Sequence, residues 1–177
     1  MAEWLWHRGP THALWFGPVV GPAVGWLLWR WKGGSLRDWI GLSIVSLFTH
    51  PLLDAFTTYG TQLLSPFSRQ RFAFDAVAII DPAYSLVLAL GLVAGLWCSV
   101  GTAAARRASW AALAVSSAYV GLGLVVNQRA EEIARSQLAA AGVREARVSA
   151  FPTLFQLPFR RVVARSEPAR VLVDLSE

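Results

Sequence analysis

Four long stretches of this chain carry no charged residue, and they set its predicted architecture. They run from Ala13 to Trp29, Trp39 to Leu53, Pro82 to Ala105 and Ala108 to Gln128. A bilayer-spanning helix needs about 20 mostly apolar residues. The last two stretches meet that length outright, and the first lies near the short limit. The stretch ending at Leu53 is shorter, which predicts a helix that stops at the headgroups. Beyond Gln128 the pattern changes. Arg129 to Ala141 reads as a short amphipathic helix ending at Gly142. Arg147 to Phe151, Arg160 to Ala164 and Arg170 to Leu175 alternate in the manner of strands. The predicted fold class is an all-α membrane protein with about four transmembrane helices and a small C-terminal α+β appendage. The predicted domains are a polytopic membrane domain at 1–128 and a small extracytoplasmic α+β tail at 129–177, whose size is marginal for an independent core.

Composition supports the membrane reading. Apolar residues make up 55% of the chain and charged residues only 15%, which separates it from soluble domains of this size. Trp4, Trp6, Trp15, Trp26, Trp29, Trp31 and Trp39 crowd the ends of the first two stretches, as an interfacial aromatic belt does. The net charge of +5 then bears on orientation rather than on nucleic acid, because no lysine-rich patch or RNA-binding signature accompanies it. Arg30, Lys32 and Arg37 join the first two stretches, and Arg106 and Arg107 join the last two. The positive-inside rule puts both loops in the cytoplasm. The N-terminus, the segment from Asp54 to Asp81 and the tail then share the opposite face. Cys98 is the only cysteine and is read as small apolar packing. Met1 to Pro10 lacks the basic start and continuous apolar run of a cleavable signal peptide.

The chemistry concentrates in short motifs. His50 and Asp54 stand four residues apart and, on a helix, share one face one turn apart. An imidazole and a carboxylate so placed can grip a zinc or similar first-row ion. Ionisable groups at membrane depth are costly, which favours a functional reading. The plain alternative is a helix-end histidine beside a solvated aspartate. The other two histidines, His7 and His12, flank a Gly-Pro turn that a loop can close around an ion. The charge argument makes no use of histidine, yet it puts His7, His12, His50 and Asp54 on one membrane face. Further along, Arg69 or Arg71 can hold a phosphate or carboxylate, although Arg69 is better read as fixing its loop against Asp75. Asp81 before Pro82 is the signature of a helix N-cap and can also serve as a ligand. Gly91, Gly95, Gly101, Gly121 and Gly123 predict close packing of the last two helices.

Taken in order, His7-Arg-Gly-Pro-Thr-His12, the run from His50-Pro-Leu-Leu-Asp54 to Ser68, Arg71-Phe and Ile79-Ile-Asp-Pro82 resemble the bacterial inner-membrane YdjM-like family. That family is described as predicted membrane-bound metal-dependent hydrolases, distantly like zinc-dependent phospholipase C and P1-type nucleases. The resemblance runs from His7 through the last apolar stretch. It implies that His7, His12, His50 and Asp54 occupy metal-ligand positions, with zinc the expected ion. Arg71, Asp75 and Asp81 match recurring positions without an assigned role. It also implies a multi-pass protein of the bacterial inner membrane. Relatives carry a further apolar segment with a Pro-Asp-x-Asp motif, which these 177 residues lack. The expectation is an incomplete site, or a natural start upstream of Met1.

The expected activity is metal-assisted hydrolysis of a phosphoester, in a lipid or envelope precursor, at the outer face of the membrane. Arg71 would steady the anionic substrate, and Asp81 or Asp75 would orient the attacking water. The expected partners are the lipid bilayer and that substrate, with no nucleic acid. One rival is a non-catalytic membrane protein with a structural metal. Another is a small ion-coupled transporter, ranked last because the stretch Pro82 to Gln128 offers so few polar residues.

Overall fold

The computed structural model describes residues 8–99, 101–143, 146–153, 156–166 and 170–172. The chain divides into two compact units, Met1–Phe74 and Asp75–Glu177. The expected boundary after Gln128 instead falls inside a helix.

The first unit is a helical hairpin with a loop folded over its open end. A 3-10 turn, Pro10–His12, leads into α1, Phe16–Lys32, and α2, Leu36–Ala55. Gly33 and Gly34 reverse the chain at φ of 72° and 83°, values that suit residues without a Cβ. Ser35 then caps α2 by accepting the Asp38 N–H at 3.3 Å. The two helices meet along a glycine stripe at every fourth residue of α1. A Cβ on Gly17 would stand 2.9 Å from the Phe48 nitrogen, one on Gly21 2.7 Å from Ile44 Cγ1, and one on Gly25 2.5 Å from Ile40 Cα. Each step of four along α1 is thus matched by a step of four back along α2. Continuing that register past the start of α1 brings the 3-10 turn to the last turn of α2. Residues 56–74 are loop, tied by reciprocal backbone bonds between Thr61 and Phe72, both 3.0 Å.

The second unit pairs α3, Pro82–Trp97, with α4, Ala103–Ala140, followed by the strands β1, Ala146–Thr153, β2, Gln156–Ser166, and β3, Arg170–Leu172. Asp81 caps α3 as expected, accepting from the backbone of Ala83 at 3.0 Å and Tyr84 at 3.1 Å, with Pro82 in the first turn. Gly91 lies against Ala112 so closely that a Cβ there would collide with it. The sheet is antiparallel in the order β1-β2-β3. Its inner face, Val148, Ala150, Val162 and Ala164, packs on Ala134 of α4. The expected break at Gln128 is absent. The polar residues after it include good helix formers, and Glu131 pairs with Arg135 one turn on at 2.6 Å. Gly142, at φ of 84°, follows the helix end as expected.

Among the described residues, α4 alone is long and apolar enough to cross a membrane. Of the four spans expected, the described residues support one. α1 has 17 residues and α3 has 16, against about 20 for an apolar span. α2 has 20 residues, but Arg37 and Asp38 open it and Asp54 lies in its last turn. Large apolar side chains nevertheless face outward on all four helices, among them Trp26, Val45, Leu90 and Trp110.

The glycine stripe yields the first prediction. Gly21→Leu should overpack the hairpin and destabilise it by the upper end of the usual range, about 1–3 kcal/mol. Gly41→Ala, which meets nothing within 4 Å, should be neutral or stabilising. Thermal midpoints in detergent check the pair, and equal behaviour would mean that close approach is not what holds the hairpin.

Candidate metal centre

The register of the hairpin brings together the histidine of the 3-10 turn and the ligand pair of α2. His12 Nε2 stands 3.4 Å from Asp54 Oδ2, and His50 Nε2 stands 3.7 Å from the same oxygen. The two imidazole centroids are 5.2 Å apart with rings inclined at 48°. One ligand atom from each of the three side chains falls within 4.8 Å of the others. Both separations from Asp54 exceed a normal hydrogen bond. They approach the separation of about 3.3 Å between two atoms bound to one tetrahedral ion at zinc–ligand distances. His12 Nδ1 lies 3.0 Å from Thr11 Oγ1. With the proton on Nδ1, that contact leaves the Nε2 lone pair directed at the cluster, the outer-shell support usual for a ligating histidine. His50 is 62% exposed at its side chain whereas Asp54 is 15% exposed, so the cluster is open on one side. Two imidazoles and a carboxylate with an open approach suit a first-row divalent ion, and this group can hold one. His7, the fourth expected ligand, lies outside the described residues.

A residue that the sequence reading passed over completes the site. Arg8 Nε lies 3.4 Å from Asp54 Oδ2. Its Nη1 donates to Thr57 Oγ1 at 2.9 Å and to the Asp54 carbonyl at 3.4 Å. The guanidinium also sits over the Tyr59 ring, 5.4 Å from its centroid. Arg8 adopts φ of 53°, unusual for a residue with a side chain. Its carbonyl is pinned by the Gln62 N–H at 3.1 Å, and the Leu14 N–H is bound by Leu63 at 3.0 Å. Loop 57–65 thereby fixes the segment bearing Arg8 and His12. The available signal was position, since Arg8 is the only charge inside the His7–His12 motif.

Arg71 lies in the same unit, where its Nη1 donates to the carbonyls of Gly60 at 3.3 Å and Tyr59 at 3.5 Å. Arg69 is exposed. Asp75 and Asp81 belong to the second unit. Asp81, besides capping α3, accepts from the Tyr119 hydroxyl at 2.9 Å through Oδ2 and 3.1 Å through Oδ1. Tyr119 interrupts the last apolar stretch and was legible as a polar handle, yet went unread. Asp75, at φ of 50°, has a buried Oδ1 without a hydrogen-bond partner. Burial, reinforced by Glu131 and opposed by Arg160, pushes its carboxyl up to about 6. Arg160 of β2 is 5% exposed and donates through Nη2 to the Gly123 carbonyl at 2.8 Å and the Ala76 carbonyl at 3.0 Å. Burial lowers its pKa, against the opposing pull of Tyr119, Asp75 and Asp81.

The family described as YdjM inner membrane protein matches residues 2–130. Two curated relatives share part of the chain. "Inner membrane protein YbcI" of Escherichia coli (strain K12) is 44% identical over 69 residues, 37% of this chain and 39% of the relative. "Uncharacterized protein YfhP" of Bacillus subtilis (strain 168) is 33% identical over 79 residues, 43% of this chain and 24% of the relative. The matched segments therefore span well under half of either relative. No solved structure matches the chain.

Two predictions follow from this geometry. His50→Ala and Asp54→Ala should each lower zinc retained by the purified protein by roughly tenfold or more, as loss of a direct ligand does. Arg69→Ala should leave it unchanged. Metal analysis after gel filtration is the check, and undiminished zinc in both ligand variants would reduce the cluster to an incidental helix end. For Asp75, a carboxyl raised from 3.8 to about 6 binds its proton more tightly folded than unfolded. Its contribution to stability is fully present below 3.8 and is lost as pH rises through about 6. Asp75→Asn should flatten the thermal midpoint across that window. A wild-type midpoint that rises with pH there, unaltered by the substitution, would contradict the assignment.

Proposed function

The chain belongs to the YdjM inner membrane protein family, and we propose that it is a membrane-bound, metal-dependent hydrolase acting on a phosphoester. The observation that carries this reading is the convergence of His12, His50 and Asp54 on one open-sided position. A structural zinc site is normally closed by four protein ligands, whereas a catalytic one keeps a position for water or substrate. His12, His50 and Asp54 hold the ion and leave its fourth position to water or substrate, and zinc is the best fit to two imidazoles and a carboxylate. When bound, such an ion supplies Lewis acidity to a phosphoryl oxygen and makes its bound water more acidic. Thr11 accepts from His12 Nδ1 in the tautomer that frees Nε2 for the ion, and Arg8 holds the Asp54 carboxylate. Arg71 steadies the anionic substrate from the loop it shares with Tyr59. No carboxylate of the second unit enters the proposal, since Asp81 is engaged as cap and as acceptor from Tyr119.

The proposed location is the outer face of the inner membrane. Arg30, Lys32 and Arg37 lie at the opposite end of the hairpin from the cluster, and the positive-inside rule assigns that basic end to the cytoplasm. Helices of 17 and 20 residues extend about 26–30 Å, close to the hydrocarbon thickness. A headgroup phosphoester in a lipid or envelope precursor is within reach of a site so placed.

A non-catalytic metal clamp is the second reading, favoured by the way the cluster joins the 3-10 turn to the end of α2. The protein in detergent, supplied with zinc and p-nitrophenyl phosphate, separates the two. Zinc-dependent release of nitrophenol, lost in His50→Ala, is the expected result. Zinc-dependent melting without turnover of that ester or of a lipid phosphate would establish the clamp instead.

A further inference from the structure

Arg8 uses only part of its guanidinium on Asp54. Its Nε faces the carboxylate and its Nη1 is committed to Thr57 and the Asp54 carbonyl. Nη2 makes no hydrogen bond or ion pair with any described residue, and the side chain keeps 12% exposure. An arginine presents five N–H donors in a fixed fork, so a donor pair remains available beside the ligand cluster. We infer that Arg8 forms an oxyanion subsite of the metal centre, receiving a phosphoryl oxygen through Nη2 while the rest of its fork holds Asp54 in place. The inference rests on the metal reading above and names the residue that would distinguish phosphoryl substrates from neutral esters.

Three further observations support it. The first is charge. Asp54 and Arg8 cancel and neutral imidazoles add nothing, so a divalent ion leaves the loaded cluster about two charges positive. Such a centre favours a dianion over a neutral carbonyl, the more so where surrounding protein lowers the effective dielectric. The second is rigidity. Arg8 is held at φ of 53° by the Gln62 N–H, and its guanidinium is backed by the Tyr59 ring at 5.4 Å. A left-handed backbone at a residue with a long side chain costs free energy, and such conformations gather at ligand clamps. The third is planarity. A fork that spans Asp54 and a substrate oxygen together needs a guanidinium, which a lysine ammonium reproduces in charge but not in shape.

The test uses the full chain in detergent micelles with inorganic phosphate as the probe. Zinc affinity and phosphate affinity are measured separately by titration calorimetry for wild type, Arg8→Gln, Arg8→Lys and Arg69→Gln. Wild type should bind phosphate only when zinc-loaded. Arg8→Gln should weaken phosphate binding by roughly tenfold or more, the usual loss for a charge-assisted hydrogen bond. Its zinc affinity should fall less. Arg8→Lys should recover part of the phosphate affinity, and Arg69→Gln should match wild type. Equal phosphate affinity in wild type and Arg8→Gln would overturn the subsite. Parallel loss of zinc and phosphate in Arg8→Gln, without recovery in Arg8→Lys, would make Arg8 a strut for Asp54 and also overturn it. A wild type that binds no zinc overturns the metal reading and the subsite with it, an outcome distinct from the other two.

Discussion

The close approach of α1 and α2 is the constraint on which the candidate centre depends. Three glycines at successive turns let the backbone of α1 lie against Ile40, Ile44 and Phe48 where no Cβ would fit. Where lipid surrounds helices, the hydrophobic drive between them is weak, and contact at this range supplies dispersion and weak polar interactions instead. The same contact fixes register. The 3-10 turn could not face the last turn of α2 if the helices were free to slide by a turn. His12 and the His50/Asp54 pair, remote in sequence, then arrive within reach of one ion.

Much of the fold was legible because its signals are local. Asp81-Pro82 declares a helix start through the cap geometry that an aspartate before proline provides. Gly142 marks a helix end, and the alternation after Arg147 locates the strands. Two readings went further than the described structure, for physical reasons. Counting uncharged residues overstated the spans, because an uncharged run need not be one helix: the stretch from Pro82 to Ala105 turns at Ser99 and Gly101, so α3 ends at Trp97. The change of composition at Gln128 looked like a break, yet charged helix formers with an i,i+4 ion pair continue α4 without interruption.

The site divides along similar lines. The His-Asp spacing on α2 was readable as one helical face, whereas the meeting of His12 with that pair comes from the register of the hairpin. The part played by Arg8 was not readable, since nothing in a sequence reveals a left-handed backbone at a particular arginine. The α1 glycines recur at intervals of four, a spacing that marks close helix approach inside a segment whose apolar length marks it first as a span. Arg160 left no signal at all. Alternation along a strand says that it lies on one face or the other, not that its guanidinium ends on the carbonyls of Gly123 and Ala76.

That last contact has a consequence for the C-terminal sheet. The core between the sheet and α4 is built from alanines and valines, whose small side chains remove little apolar area from solvent. Arg160 adds two charge-assisted bonds to carbonyl groups in a dry setting, where such bonds strengthen as the local dielectric falls. Fastening of this kind answers to the wetness of its surroundings rather than to their greasiness. Nε and Nη1 of Arg160 are buried without a hydrogen-bond partner, so water admitted beside Gly123 would compete for the same guanidinium.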